Sequence, residues 1–212
     1  MIILSAEPIL PIFNQAIADY HKFDEVNHPC ENPYEVKTIE WYLYNKAWID
    51  TVQWHLEDLI RDPNIDPVEA LALKRRIDRS NQDRTDIVEI IDSYYLMLFQ
   101  KVEPLPEATL NTESPAWAID RLSILQLKLY HMKAEVERKD VDEAHRMKCE
   151  EKLRTLQEQN ADLCTSIIQL MECYKHGEKV MKVYKQMKMY NDPALISRSE
   201  ERRVGKECRY RW

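Results

Sequence analysis

Two glycines in 212 residues narrow the folds open to this chain more than any other feature. Positive-φ turns, bulges and phosphate-cradling loops draw on glycine because it alone lacks a Cβ. Hairpin-rich β-proteins and dinucleotide-binding α/β folds need many such positions. A chain this poor in glycine must turn instead through short polar or proline-bearing links between helices. Charged residues make up 32% of it, and the abundance of Leu, Lys, Glu, Arg and Ala pulls the same way through intrinsic helix propensity. With 44% hydrophobic residues, it has enough apolar surface for a buried core. The expected class is all-α, an up-and-down antiparallel bundle of long helices with short additional terminal helices, forming one domain over residues 1–197.

The last stretch, Arg198 to Trp212, has no apolar periodicity and resembles one translated reading frame of a sequencing adapter. It is therefore expected to be a non-native tail. It carries six Lys or Arg against three Glu, a net +3, which leaves −10 on the rest of a chain whose total is −7. So acidic a body argues against nucleic acid as a partner. Cys30, Cys149, Cys164, Cys173 and Cys208 contain no C-x-x-C pair, which favours a reducing compartment. The first residues lack a basic n-region, and no apolar run approaches the roughly 18 residues of a spanning segment. A cytoplasmic protein without a transmembrane segment is expected.

Apolar spacing predicts a first helix from about Pro11 to Lys22 and a second from Tyr34 to Asp62. Asp66-Pro67-Val68-Glu69 is a strong start signal for a third, reaching about Gln100: Asp66 can cap, and Pro67 suits the first helical position. Ser114-Pro115 restarts a fourth, to about Arg138. A fifth runs to His176 with Gly177 ending it, and a last short helix is expected over Glu178 to Tyr190.

Polar side chains interrupt these apolar faces. On the third helix Arg84 falls on the line of Leu73, Ile77, Val88, Ile91 and Tyr95, flanked by Ser80 and Asn81. An arginine placed where a bundle wants leucine requires a carboxylate partner. On the second helix Asn45 and His55 share the arc of Trp41, Trp48, Val52, Leu56 and Leu59, with Asp58 one turn beyond His55. Trp54, Glu57 and Arg61 lie opposite, with Asp50. The fourth helix adds Asp120 and His131, and Arg121 beside Leu125. The candidate cluster is therefore His55, Asp58, Asn81, Arg84, Asp120 and Arg121. It can be read as an ion-pair layer that fixes helix register or as a ligand or catalytic pocket.

Several blocks carry a family resemblance. They are Trp48-Ile-Asp-Thr-Val-Gln-Trp54-His55-Leu-Glu57-Asp58-Leu-Ile-Arg61, Ile77-Asp78-Arg-Ser-Asn81-Gln-Asp-Arg84-Thr-Asp86, and Asn111-Thr-Glu113-Ser-Pro115 running into Ala118-Ile119-Asp120-Arg121. Together with Met181 to Asn191 they resemble the bacterial domain-of-unknown-function family DUF4254, over about Pro11 to Leu195. The resemblance implies a helical bacterial protein often encoded near cell-envelope polysaccharide enzymes, with no established activity. It also implies a recurring polar signature on His55, Glu57, Asp58, Asn81, Arg84 and Asp120.

Three chemistries follow from these residues. An anion pocket would use Arg84 and Arg121 as planar forks, with Asn81 beside them and Trp48 or Trp54 stacking on a sugar or base, so that a sugar nucleotide is the natural ligand. An enzyme on a phosphorylated sugar or nucleotide would add His55 as acid/base, oriented by Asp58 or Asp120. A metal could be held by His55 and Asp58 with Asp120 or His131, but the paired Glu-x-x-His motifs of di-iron bundles are missing, and no metal site is assigned. Asp86, Glu89 and Asp92 have a magnesium-like spacing without its partner motif, and are expected to face solvent. His21, His28, His145 and His176 are expected to be ordinary surface residues. Lys179, Lys182, Lys185 and Lys188 would form one basic face of the last helix, suited to water, an anionic membrane surface or a protein partner. No P-loop, nucleophile elbow or dinucleotide fingerprint is present. Cofactor and enzyme status stay open.

Overall fold

The computed structural model describes residues 6–185. They form five helices, α1 (Ile9–Tyr20), α2 (Ile39–Leu59), α3 (Pro67–Phe99), α4 (Pro115–Glu137) and α5 (Glu143–Lys175). Three of the starts follow directly from capping chemistry. The Thr38 hydroxyl accepts from Trp41 N, Asp66 accepts from Val68 N and Glu69 N, and Asp142 accepts from His145 N. Each satisfies backbone N–H groups that a first helical turn leaves without partners.

α2 begins five residues later than the apolar spacing suggests. Lys37 sits at φ 70° and Thr38 is extended, so the chain before Ile39 is turn rather than helix. α3 runs unbroken for 33 residues, and α5 ends where Gly177 adopts φ +71°. There Glu178 N donates back to Cys173 O at 2.9 Å, closing the last turn.

The short helix expected after Gly177 does not form over Glu178–Lys185. Thr109 N donates to Glu178 O at 3.0 Å, and Val180 N donates to Thr109 O at 2.9 Å. These bonds draw the chain into an extended strap along the α3–α4 connector. A helical basic face through Lys179, Lys182 and Lys185 is therefore absent, while Lys188, the rest of that segment and the tail at 198–212 lie outside the described residues. No helix among the described residues is long and apolar enough to cross a membrane.

α2 and α4 are the central helices. α2 packs on α1, α3 and α4, while α4 packs on α1, α2, α3 and α5. Both consequently bury residues around most of their circumference, Leu43, Tyr44, Lys46, Ala47 and Asp50 on α2 and Ile119, Asp120, Leu122 and Ser123 on α4. α1 contributes Phe13 and Tyr20, α3 Val88 and Ile91, and α5 its C-terminal Ile167, Leu170, Met171 and Tyr174. Each fully buried aliphatic or phenyl side chain contributes about 1.5–3 kcal/mol. The rest of α5 follows α4 through the half-buried Leu153, Leu156 and Leu163.

Candidate functional site

Four ionised side chains meet between α2, α3 and α4. Lys46 Nζ lies 2.9 Å from Asp120 Oδ1 and is also hydrogen-bonded to Asp50 Oδ2, one helical turn along α2. Arg84 donates through Nε to Asp120 Oδ1 at 2.9 Å and through Nη2 to Oδ2 at 2.5 Å. Its Nε stands 3.4 Å from Asp50 Oδ1. Ser123 Oγ adds a bond to Asp50 Oδ2 at 2.5 Å. The Lys46 and Asp50 side chains are 0% and 1% exposed, whereas Arg84 is 27% exposed. Two cationic side chains face two carboxyl groups, and burial of such a group is tolerable only because opposite charges lie against one another.

Position within the group separates the two carboxylates. Burial pushes the Asp120 carboxyl up, but Lys46 and Arg84 together more than reverse this and hold it below the usual carboxylate range. Burial also raises Asp50, and there Lys46 and Ser123 fail to offset it beside the Asp120 charge. Its Oδ1 is buried with no hydrogen-bond partner. Arg84 is disfavoured by burial but held more firmly charged by Asp120 and Asp50. Asp50 is therefore the member best able to take up a proton.

Arg84 reaches solvent at a cleft of about 190 Å³ lined by Asp50, Gln53, Trp54, Glu57, Arg61, Arg84 and Ile124. Gln53 is locked in place, donating to Asn81 Oδ1 at 2.9 Å and accepting from Ser80 Oγ at 3.1 Å. Of the residues singled out in the sequence, Arg84 and Asp120 come together as required, Asn81 stands beside them through Gln53, and Trp54 walls the cleft.

The others go elsewhere. Asp58 is an exposed partner of Arg61 at 3.0 Å, and Arg121 faces outward to Glu113. Trp48 is buried, edge-on to Tyr20 and stacked on Tyr44. It borders a different groove, of about 530 Å³, with His28, Arg76 and Arg79. His55 is part of a second cluster with His21 and His131. His21 Nε2 and His55 Nε2 are 3.3 Å apart, and one ring nitrogen from each of the three lies within 4.8 Å of the others. His21, expected on the surface, has a side chain only 9% exposed. Burial lowers His55, with His21 adding to it, and lowers His131 to about 4 with help from His21 and His55. Trp54 stacks on His131 with ring centroids 4.8 Å apart, so this one indole separates the two polar clusters. A further group, Glu135, His145 and Cys149, is more open, and Arg138 already pairs with its Glu135.

Lys46 and Asp50 are not among the sequence candidates, and the apolar spacing puts Asp50 on the polar side of α2, whereas its side chain is 1% exposed. Their i, i+4 spacing within Tyr44-Asn-Lys46-Ala-Trp48-Ile-Asp50 is the signal that could have found them.

No curated protein and no solved structure matches the chain. The family described as "Protein of unknown function (DUF4254)" matches residues 40–183, a span that includes Lys46, Asp50, Arg84 and Asp120. The chain belongs to the DUF4254 family.

Proposed function

We propose that the protein binds an anionic small molecule in the cleft over Arg84 and acts as an accessory binding protein. The observation that carries this reading is a guanidinium held by Asp120 from inside the bundle yet 27% exposed at a cleft. The Asp120 fork uses Nε and Nη2, which fixes the guanidinium plane and leaves its Nη1 end for a phosphate or carboxylate. Gln53 adds an immobilised amide, Arg61 a rim cation and Trp54 an aromatic wall. A volume of about 190 Å³ is below the ~300–1,000 Å³ of sites that enclose a drug-sized ligand. It suits one phosphate or sugar-sized group, with the rest of a sugar nucleotide lying outside. The resemblance to proteins encoded beside polysaccharide enzymes supports a phosphorylated sugar of cell-envelope glycan synthesis as the ligand class.

One observation favours an enzyme as the second reading. Asp50 lines the same cleft with a raised affinity for protons and an Oδ1 that has Arg84 Nε at 3.4 Å but accepts no hydrogen bond, as a general base or acid would. In that case Asp50, not His55, serves the cleft, because His55 does not line it.

Calorimetric titration of the chain with UDP-glucose and with inorganic phosphate at low salt tests the anion site. Arg84→Met should weaken binding by at least ~10-fold, the value of a charge-assisted hydrogen bond. Gln53→Ala, outside the ion group, should weaken it with the fold intact. Absence of heat with either probe, or affinity indifferent to both substitutions, would overturn the reading.

A further inference from the structure

The three histidines arrive from three separate elements. His21 caps the C-terminal end of α1, His55 lies on α2 and His131 on α4. His21 Nδ1 donates to Ile17 O at 2.7 Å. A carbonyl can only accept, so the Nδ1 position carries the proton and the lone pair sits on Nε2, toward His55. A backbone carbonyl fixing the far nitrogen is how proteins orient imidazole ligands.

Spacing and support agree with that orientation. Two nitrogens each ~2.0–2.1 Å from a tetrahedral ion are about 3.3–3.4 Å apart, and His21 Nε2 and His55 Nε2 are 3.3 Å apart. Aromatic rings lock all three imidazoles: Tyr20 stacks on His55, Tyr130 covers His21 with centroids 4.2 Å apart, and Trp54 stacks on His131. A hydrogen-bonded His21–His55 pair would satisfy two of the rings and leave the third in want of a partner. His131 Nε2 is indeed buried with none, an arrangement that costs about 1–3 kcal/mol if nothing binds there. Asp24 Oδ1 stands 3.9 Å from His21 Nε2, on a residue whose backbone takes φ 53°.

We propose that His21, His55 and His131 form a binding site for one divalent transition-metal ion of the zinc class. Three imidazoles select zinc, cobalt, nickel or copper over magnesium and calcium, which prefer oxygen. Three protein ligands leave a fourth position for water or a carboxylate, and Asp24 is the carboxylate nearest His21. The site is separate from the anion cleft, with the Trp54 indole between them.

The test is a titration of the chelated, untagged full chain with Co²⁺ and then Zn²⁺. One equivalent of Co²⁺ should bind with the visible absorption of a four-coordinate nitrogen and oxygen site, quench the Trp54 part of the fluorescence and be displaced by Zn²⁺. His131→Ala and His55→Gln should each weaken binding by at least ~10-fold, as loss of even an outer-shell partner does. His145→Ala and Cys149→Ser, which dismantle the Glu135–His145–Cys149 group, should leave it unchanged, as should Arg84→Met. His131→Gln and His21→Ala supply the same comparison if His131→Ala loses its helical circular dichroism. Saturating Co²⁺ and Zn²⁺ with no bound equivalent overturns the proposal. So does binding that survives the histidine substitutions, or binding abolished by His145→Ala.

Discussion

Arg84 and Asp120 meet as a two-bond fork, Nε to Oδ1 and Nη2 to Oδ2, and Lys46 approaches the same Asp120 carboxylate from the opposite helix. One carboxylate therefore ties α2, α3 and α4 together. Its neutralisation would leave two cations sharing Asp50 alone in a buried setting. Asp120→Asn should cost about 3–5 kcal/mol, the penalty for breaking a buried ion pair from one side. Arg121→Ala, one residue along, breaks only an exposed pair with Glu113 and should cost no more than about 1 kcal/mol. Urea unfolding at neutral pH compares the two. Equal effects would mean that the Asp120 group is not what holds these helices in register.

The sequence exposed one half of this arrangement. Arg84 was legible because α3 presents a single apolar line, Ile77, Val88, Ile91 and Tyr95, and a guanidinium on such a line must find a carboxylate. Lys46 and Asp50 were not, because reading one apolar stripe assumes that a helix buries one face. α2 is packed by α1, α3 and α4, so residues such as Lys46 and Asp50, off its apolar stripe, are interior. The same assumption put Leu59 on the buried arc, though it is 48% exposed at the helix end. The histidine cluster is a different case. His55 and His131 are named in the sequence as possible ligands of one metal, but with Asp58 or Asp120, and His21 is expected on the surface. The three are far apart in the chain, and only the crossing of α1, α2 and α4 puts His21 in the place given to the carboxylates. Glu178–Lys185 misled because its apolar and basic residues repeat at helical intervals, while its backbone is drawn to Thr109 by hydrogen bonds that no residue pattern records.

His131 makes stability depend on pH in a defined window. Its ring titrates at about 4 in the folded chain, against 6.5 for an unconstrained histidine. Between those values the unfolded chain holds a proton that the folded chain refuses. Stability therefore rises with pH across the window, is fully present above about 6.5, and is lost on acidification toward 4. A shift of this size is worth at most ~3 kcal/mol, and partial solvent access reduces it to about 1–2 kcal/mol. Denaturant unfolding of the chelated chain at pH 7 and pH 5 should show part of that loss, and His131→Phe should reduce it, leaving the smaller slope of His55, which burial also lowers. A slope unchanged by the substitution would exclude His131 as its source.

Gly177 is the point where α5 stops and the strap begins. At φ +71° it occupies backbone space that side chains disfavour, and an added Cβ would come within 2.6 Å of Glu103 O. That neighbour is backbone, and the Gly177 carbonyl is itself bonded to Leu105 N at 2.9 Å, so neither partner can step aside. Gly177→Ala should destabilise by more than the ~1 kcal/mol usual for a strained left-handed position. Amide exchange should quicken first at Leu105, Thr109 and Val180, whose bonds tie the strap to the connector. Uniform loss of protection along α5 would mean that the strap and the helix unfold together.

Asp92 on α3 does a job usually done locally. Ser114 occupies the cap position of α4 but makes no capping bond of its own; its hydroxyl instead donates to Asp92 Oδ2 at 2.7 Å, and Ala116 N donates to Asp92 Oδ1 at 3.2 Å. A carboxylate expected to face solvent is thus buried, serving as the cap of a neighbouring helix and lying where the α4 dipole favours negative charge. Because this cap also bridges two helices, its loss should cost more than a surface cap. Asp92→Ala should destabilise by about 2–3 kcal/mol, since it leaves a buried hydroxyl and an N–H unpaired. Ser114→Ala, which removes the hydroxyl but leaves the carboxylate bonded to Ala116, should cost about 1 kcal/mol. Chemical denaturation of both variants, with amide exchange at Ala116, separates these outcomes. A Ser114→Ala loss as large as that of Asp92→Ala would assign the cap to the serine instead.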